Sequence, residues 1–385
     1  MTKLQYCTNC LTPSTRPRVT FNSEGMCNAC ENTLKKKSID WSERLVFLHT
    51  LCDKYRREGK SIQHHCIVPW SGGKDSIYVA HKMQDLGMQP LLVTLVPPME
   101  TDVGRWNRKH CREGFDWREV EVDLDLYRSV SIAEFRRYCY PKHPFVIGIS
   151  TAIFQLADEL GIPFIMYGEE GEAEYGGDTI DPEAWRKTIS RGYFLRNYYS
   201  GLDPSTYGHI WNMLPEDRFD RIFATHWSKF EDWRPSLHAD FALSKGMRQR
   251  STPSCGTYTT ASQLSDWMQD LHMYCIFVKF GFGRATADAN INIREGLMDR
   301  DTALEYIETL DGRFPNDLLP LYLDYFKMTK LEFDEALAAG ANKDIMEQAG
   351  PCGSPVGHIW YLKHIHAKWR RKDTLVELQS PERYE

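Results

Sequence analysis

Cys66-Ile67-Val68-Pro69-Trp70-Ser71-Gly72-Gly73-Lys74-Asp75-Ser76 reads as a buried strand that runs into a glycine pair and out into a helix. The two glycines allow a tight turn and a close approach of backbone to ligand. Residues 76–86 have helical periodicity and end at Gly87, a residue suited to a helix C-terminus. The start of that helix offers free N–H groups and a positive dipole end, which suits a phosphate. Ser71 and Ser76 add hydroxyl donors and Lys74 adds a point charge. Asp75 would repel a phosphate unless a cation lay between them, so it reads as a Mg²⁺ ligand. The loop lacks the G-x-x-x-x-G-K-[ST] spacing of the commonest phosphate loop.

Working outward, strands are expected at residues 91–96, 117–122 and 162–167, with helices at 102–113, 128–138 and 148–160, the last stopped by Gly161. Strands alternating with helices at this spacing predict an α/β parallel sheet with helices on both faces. Upstream, residues 41–58 predict a helix with Trp41, Leu45, Leu48 and Cys52 on one face and Asp40 as its cap. Residues 178–260 are rich in Trp, Tyr, Asp and Pro and have no clear period. From 261 onward the chain reads as mainly helical. Asp299 is placed to cap one helix, and Thr329 with Glu332 forms a capping box ahead of a Leu331, Phe333 and Leu337 face.

An apolar share of 42% in 385 residues is enough for a sizeable core, and the longest apolar runs are too short to span a bilayer. With no apolar leader at the N-terminus, a cytoplasmic protein is expected. A net charge of −6 argues against broad electrostatic binding of nucleic acid. Eleven cysteines in a reducing compartment predict thiols or metal ligands. Four of them, Cys7, Cys10, Cys27 and Cys30, form two C-x₂-C knuckles and suit a structural Zn²⁺ with no open position. An Fe–S cluster would use the same four sulfurs. The other cysteines lack ligand spacing, and neither His64-His65 nor His364 with His366 has metal spacing.

Ser71 to Ser76 is similar to the S-G-G-x-D-S signature of the PP-loop ATP pyrophosphatases, whose fold is adenine nucleotide alpha hydrolase-like. The resemblance implies cleavage of ATP between its α- and β-phosphates, with AMP left on a substrate oxygen. It also implies that the backbone at Val93, Thr94 and Leu95 grips adenine. Further segments resemble the N-acetyl sugar amidotransferases of surface-polysaccharide (lipopolysaccharide) biosynthesis, the WbpG type. These are residues 6–12 and 25–30 around the cysteines, Leu51-Cys52-Asp53-Lys54-Tyr55-Arg56, and Gly168-Glu169-Glu170-Gly171-Glu172-Ala173-Glu174-Tyr175-Gly176-Gly177. Phe280-Gly281-Phe282-Gly283-Arg284-Ala285-Thr286 and Leu310-Asp311-Gly312-Arg313-Phe314-Pro315 extend the likeness toward the C-terminus.

That resemblance implies adenylation of an acetamido oxygen on a nucleotide-linked sugar, typically a UDP-linked diacetamido uronic acid. Ammonia then replaces the oxygen to give an acetamidino group. It also implies a separate HisH-like glutaminase with a HisF-like subunit as the ammonia source. The expected cofactors are ATP, Mg²⁺ and structural Zn²⁺. Lys74, Asp75 and Glu169 are the expected catalytic residues, with Gly168 joining the loop residues and the second strand at ATP. Glu172, Glu174, Tyr175, Lys279 and Arg284 are the expected substrate residues. The expected organisation is a zinc-ribbon-like module at 1–38, the ATP-binding unit at 39–178, an insertion at 179–260 and a helical region at 261–385. The competing expectation is a PP-loop tRNA-modifying enzyme, favoured by the basic, aromatic stretch at 360–372 and opposed by the acidic net charge. A second alternative, a zinc-dependent scaffold with a decayed loop, is opposed by the intact Lys74, Asp75 and both serines.

Overall fold

The computed structural model describes residues 4–58, 63–177, 183–198, 208, 211–350 and 360–363. Cys352, His364, His366 and most of the basic C-terminal stretch lie outside the described residues. In chain order, the cysteine-rich segment leads into α1 (Asn28–Lys36) and α2 (Trp41–Glu58), and then β1 (Cys66–Pro69), α3 (Lys74–Asp85) and β2 (Pro90–Leu95). There follow α4 (Asp102–His110), β3 (Asp116–Val120), α5 (Leu124–Tyr138), α6 (His143–Leu160), β4 (Phe164–Tyr167) and α7 (Gly171–Tyr175). Next come α8 (Arg191–Tyr198), α9 (Glu216–Phe219), β5 (Phe223–His226) and α10 (Pro235–Ser244). The C-terminal third holds α11 (Met268–Phe280), α12 (Arg284–Glu295), α13 (Arg300–Leu310), α14 (Leu319–Phe326) and α15 (Lys330–Gly340). Its two short strands, β6 (Met346–Gln348) and β7 (Trp360–Leu362), pair antiparallel.

The sheet has the order β3-β2-β1-β4-β5 and every pairing is parallel. Burial on both faces explains the near-continuous apolar strands. Cys66 and Val68 of β1 join the cluster formed with α2, α3 and α10, while Ile67 points into the cluster formed with α6. Phe164 and Met166 alternate with Ile165 in the same way. The chain leaves β1 toward β2 on one side and reaches β4 on the other, so the strand order reverses beside β1. In open parallel sheets the crevice at that point, outside the carboxyl ends of the strands, is where ligands sit.

Several elements differ from expectation for physical reasons. Residues 179–260 supply β5, which pairs with β4 from Phe164 opposite Phe223 to Tyr167 opposite His226. The sheet therefore does not end at 178. A four-residue strand buried on both faces has too little periodic signal to be read from an aromatic-rich background. The same stretch supplies α10, which packs along α3. On α2 the buried face is Leu48, Leu51, Cys52 and Tyr55, while Leu45 is exposed. Asp40 accepts from the N–H groups of Ser42 and Glu43, as a cap does. On α15 the capping box of Thr329 and Glu332 forms, with Phe333 and Leu337 buried and Leu331 exposed. Among the described residues no helix is long and apolar enough to cross a membrane.

The C-terminal helices build a separate core around Phe135, Tyr322, Phe326, Phe333 and Leu337. Helix α12 links that region to the N-terminal cysteines. Its Ala285 and Ala289 pack against Leu11, and its Asn290 accepts from the Leu11 N–H at 2.8 Å and donates to Thr12 Oγ1 at 2.9 Å.

Candidate active site

The loop between β1 and α3 is held from below. Trp70 N donates to Val93 O at 2.8 Å, Trp70 Nε1 donates to Arg108 O at 2.9 Å, and Thr94 Oγ1 donates to Trp70 O at 2.6 Å. Gly72 has φ +72°, and a Cβ there would collide with the Arg108 backbone. This position therefore requires glycine on two counts. Gly73 N donates to Ser71 Oγ at 3.2 Å and Ser76 Oγ donates to Gly73 O at 3.0 Å, so both serines shape the turn they were expected to line. Gly73 precedes α3 with no side-chain cap. The first N–H groups of the helix thus lack an intrahelical partner, the condition for anion binding.

Two cavities adjoin this loop. One, of about 230 Å³, lies along the end of β2 and is lined by Trp70, Val93, Thr94, Leu95, Phe145 and Ile153, among others. It has the apolar walls that suit a nucleobase. The other, of about 250 Å³, runs over Ser71, Gly72, Gly73, Lys74 and Asp75, and is closed on the far side by residues 261–265, Gln269 and Arg284. Ser71 and Ser265 line both.

Lys74 Nζ lies 2.7 Å from Asp75 Oδ2, and the other Asp75 oxygen lies 3.3 Å from His238 Nδ1. Burial would lower the Lys74 ammonium, but the charges of Asp75 and Glu169 carry it above its usual range. Burial would raise Asp75, yet Lys74 and His238 hold it at about 2. Glu169, just past β4, behaves in the opposite way. Burial, reinforced by the Asp75 charge and only partly offset by Lys74, pushes its carboxyl up to about 7. Its Oε1 is shut off from solvent and has no hydrogen-bond partner among the described residues. Two acidic groups at one site with opposed shifts are a sign of divided chemical roles.

Arg284 opens α12, where Gly283 N donates to Asp311 Oδ2 at 2.8 Å. Its guanidinium is anchored by Asp288 at 2.8 Å and by Ser262 Oγ at 3.1 Å. Burial works against that charge, but Asp288 holds it firmly in the cationic form. Gly168 packs between Trp233, Asp75 and Val79. Tyr175 lies under the Arg16 guanidinium, 5.3 Å from its ring centre, and its hydroxyl is pushed well up by burial and then by the Glu169 charge.

The remaining expected substrate residues are placed elsewhere. Glu172 pairs with Arg18 and Glu174 with Lys36, so both face the cysteine module. Their charge is spent on holding α7 to that module. Lys279 donates to Tyr138 O at 2.9 Å. It sits ten residues beyond Gln269 on α11, about 15 Å away at the helical rise, and is not brought to the cavity.

His238 was missed because it falls in the aperiodic stretch. The ring is buried, with its centre 4.2 Å from Tyr78 and 4.1 Å from Trp233. No local pattern marks such a contact. Asp288 was missed as well, although its place four residues after Arg284 in a helical stretch is a signal that could have found it. Ser262, Gln263 and Gln269 reach the cavity only through the tertiary fold.

The four cysteine sulfurs lie within 4.8 Å of one another, and all four residues are buried. Cys7 to Cys30 is 3.8 Å and Cys10 to Cys27 is 3.6 Å. A tetrahedral ion with metal–sulfur bonds of about 2.3 Å separates its ligands by about 3.8 Å, so the set fits Zn²⁺. Cys27 N donates to Cys7 Sγ at 3.2 Å and Asn9 Nδ2 donates to Cys30 Sγ at 3.3 Å, bonds that favour thiolates. Around this module, Asn28 Nδ2 donates to Gly177 O at 2.6 Å, Asn32 Nδ2 to Ala173 O at 3.3 Å and Arg294 to Glu174 O at 2.7 Å. With the two ion pairs above, α7 is gripped along its whole length.

The wall opposite the phosphate loop decides the relationship. Residues 256–350 match the family model described as LPS biosynthesis protein WbpG-like, C-terminal domain. The chain carries a WbpG-like C-terminal domain. Ser262, Gln263, Gln269 and Arg284 all belong to the matched WbpG-like stretch, as do helices α11 to α15. No curated protein matches the chain. A solved structure described as a predicted subunit of tRNA methyltransferase from Methanocaldococcus jannaschii aligns over 46% of this chain and 75% of that one. Its 18% identity and TM-score of 0.28 are too low to bear on fold or activity.

Proposed function

We propose that the protein is an ATP-dependent, AMP-forming amidotransferase acting on the acetamido group of a nucleotide-linked sugar, a UDP-diacetamido uronic acid being the favoured class. The observation that carries this reading is one cavity with two walls. A Ser71–Ser76 phosphate loop with Lys74 and Asp75 forms one wall, and a WbpG-like domain bearing Arg284 forms the other.

In the first step the acetamido oxygen attacks the α-phosphorus of ATP and pyrophosphate leaves, which turns a poor leaving group into AMP. In the second step ammonia adds to the activated carbon, AMP departs and an amidine remains. Lys74 and the N-terminus of α3 stabilise charge on the departing pyrophosphate. Asp75 is the residue that would hold Mg²⁺. One carboxylate together with substrate phosphates is an ordinary ligand set for that ion, which would neutralise phosphate charge. Glu169, poised near neutrality, takes the proton that the attacking ammonia gives up. Arg284 suits a uronate or phosphate, because its fork of donors is already aimed by Asp288. Ammonia is supplied by a separate HisH-like glutaminase with a HisF-like subunit, and the protein works in the cytoplasm.

The test is incubation with ATP, Mg²⁺, ammonium and a panel of nucleotide N-acetyl sugars. The expected products are AMP, pyrophosphate and a sugar lighter by about one mass unit, since O is exchanged for NH. Release of ADP and phosphate, or modification of tRNA in place of any sugar, would sink the proposal.

A further inference from the structure

Most of the neutral polar side chains around the phosphate-loop cavity are already spent on protein partners. Asn107 Nδ2 donates to Arg248 O at 2.8 Å, and its Oδ1 accepts from Arg248 N at 2.7 Å. Gln263 Nε2 donates to Asp270 Oδ1 at 2.9 Å, and Ser262 Oγ accepts from Arg284 at 3.1 Å. Two groups on the wall facing the loop stay open. The Ser265 hydroxyl and the Gln269 amide nitrogen have no hydrogen-bond partner among the described residues. Ser265 lines both this cavity and the one along the end of β2, whereas Gln269 lines the phosphate-loop cavity alone.

The Gln269 amide is fixed from behind. Lys142 Nζ donates to Gln269 Oε1 and lies 3.3 Å from Asp266 Oδ2. Both Lys142 and Asp266 are buried. A buried ion pair adds little net stability over a well-packed apolar pair. What this one supplies is direction. An ammonium only donates, so the amide must turn its oxygen toward Lys142 and its NH₂ the other way. Asp266 Oδ1 also accepts from Met268 N at 3.0 Å, so the same carboxylate holds the start of α11, the helix that carries Gln269. The amide is therefore held through its helix and through its oxygen, and its N–H groups are left for the cavity.

Resting on the ATP-consuming reading above, we propose that Gln269 donates to a non-bridging oxygen of the ATP phosphate chain from the wall opposite the phosphate loop, with Lys142 and Asp266 as the positioning pair that aims it. The non-bridging oxygens of a phosphate chain accept hydrogen bonds, the match for an amide whose own oxygen is taken. The loop and the start of α3 hold the chain on one side and Gln269 holds it on the other, a positioning task.

The experiment is calorimetric titration of the full-length protein with Mg²⁺–ATP and with adenosine, for wild type, Gln269→Glu, Gln269→Ala and Lys142→Met. Gln269→Glu keeps an acceptor for Lys142 and so preserves any purely structural role, but it replaces the donor with a carboxylate that repels phosphate. Gln269→Ala should weaken ATP about tenfold, the effect of one hydrogen bond to a charged oxygen, and Gln269→Glu should weaken it more. Adenosine affinity is expected to stay unchanged in both. Lys142→Met, which leaves Gln269 in place but unaimed, should weaken ATP several-fold and spare adenosine. Gln269→Ala keeps the test valid if either of the other variants misfolds. ATP bound by Gln269→Glu or Gln269→Ala as tightly as by wild type, adenosine weakened in step with ATP, or ATP affinity unchanged in folded Lys142→Met would each overturn the proposal and leave the ATP-consuming reading standing. No ATP binding by the wild type would remove that reading and this assignment together.

Discussion

At the scale of single residues, the candidate site sets two carboxyls against each other. Asp75 stays ionised between Lys74 and His238, while Glu169 is held near neutrality by burial and by Asp75 itself. A base must be unprotonated to accept a proton, and Glu169 is protonated below about 7. On the proposed reaction, kcat/KM referred to free ammonia, after correction for the ammonium–ammonia equilibrium, is therefore expected to show a limb that rises with pH through about 7 in the wild type. Glu169→Gln should lower the rate about 10²–10⁴-fold, the usual contribution of a general base, and abolish the limb while ATP still binds. An unchanged limb in that variant would assign it to another group. The nearness of Lys74, Asp75 and Glu169 was legible because the first two open the helix after a glycine loop and the third follows a strand of the same sheet. His238 was not, because its role comes from packing between Tyr78 and Trp233 and not from spacing along the chain.

At the scale of elements, the phosphate loop and α7 are the two pieces held most deliberately. Gly72 combines a left-handed backbone with contact against the Arg108 backbone. Gly72→Ala is expected to cost about 1–2 kcal/mol from the conformation alone, with the collision adding to it. ATP affinity, followed by isothermal titration, should fall by more than the melting temperature suggests, because the loop must shift away from α4. Helix α7 has only five residues, too few to be stable alone, and its contacts run to Arg18, Asn28, Asn32 and Lys36 around the cysteine module. Removing the metal with a strong chelator is expected to release one ion per chain. Residues 171–177 should then lose protection in hydrogen exchange before the sheet does. Chelation that frees the metal and leaves those amides protected would mean that the module does not brace α7. The cysteine spacing was legible at once, since two knuckles carry their own geometry. The fifth strand was not, because β5 is short and both its faces are buried by residues distant in sequence.

At the scale of the whole molecule, the alternation of strands and helices announced a parallel sheet, and the order β3-β2-β1-β4-β5 then fixes where its ligand crevice must lie. The sequence was silent on how the cysteine module, the sheet and the WbpG-like domain interlock. That depends on side chains far apart in the chain, such as Asn290 with Leu11 and Thr12, or Arg300 with the carbonyls of Cys7 and Cys10. Asn290→Ala leaves the Leu11 N–H buried and unpaired, which is expected to cost about 1–3 kcal/mol. Thermal unfolding should show a lowered midpoint together with earlier loss of metal. A lowered midpoint with metal retained to the end would separate the two parts.

The clasp between Leu11 and Asn290 joins residues 279 apart. At typical translation speeds of about 5–20 residues per second, the second half of it is made roughly 15–60 s after the first. During that interval the four thiols are born without their cover. An ion taken up during that interval would be held by the four sulfurs and their local turns alone, and the later docking of Asn290 would seal a site already filled.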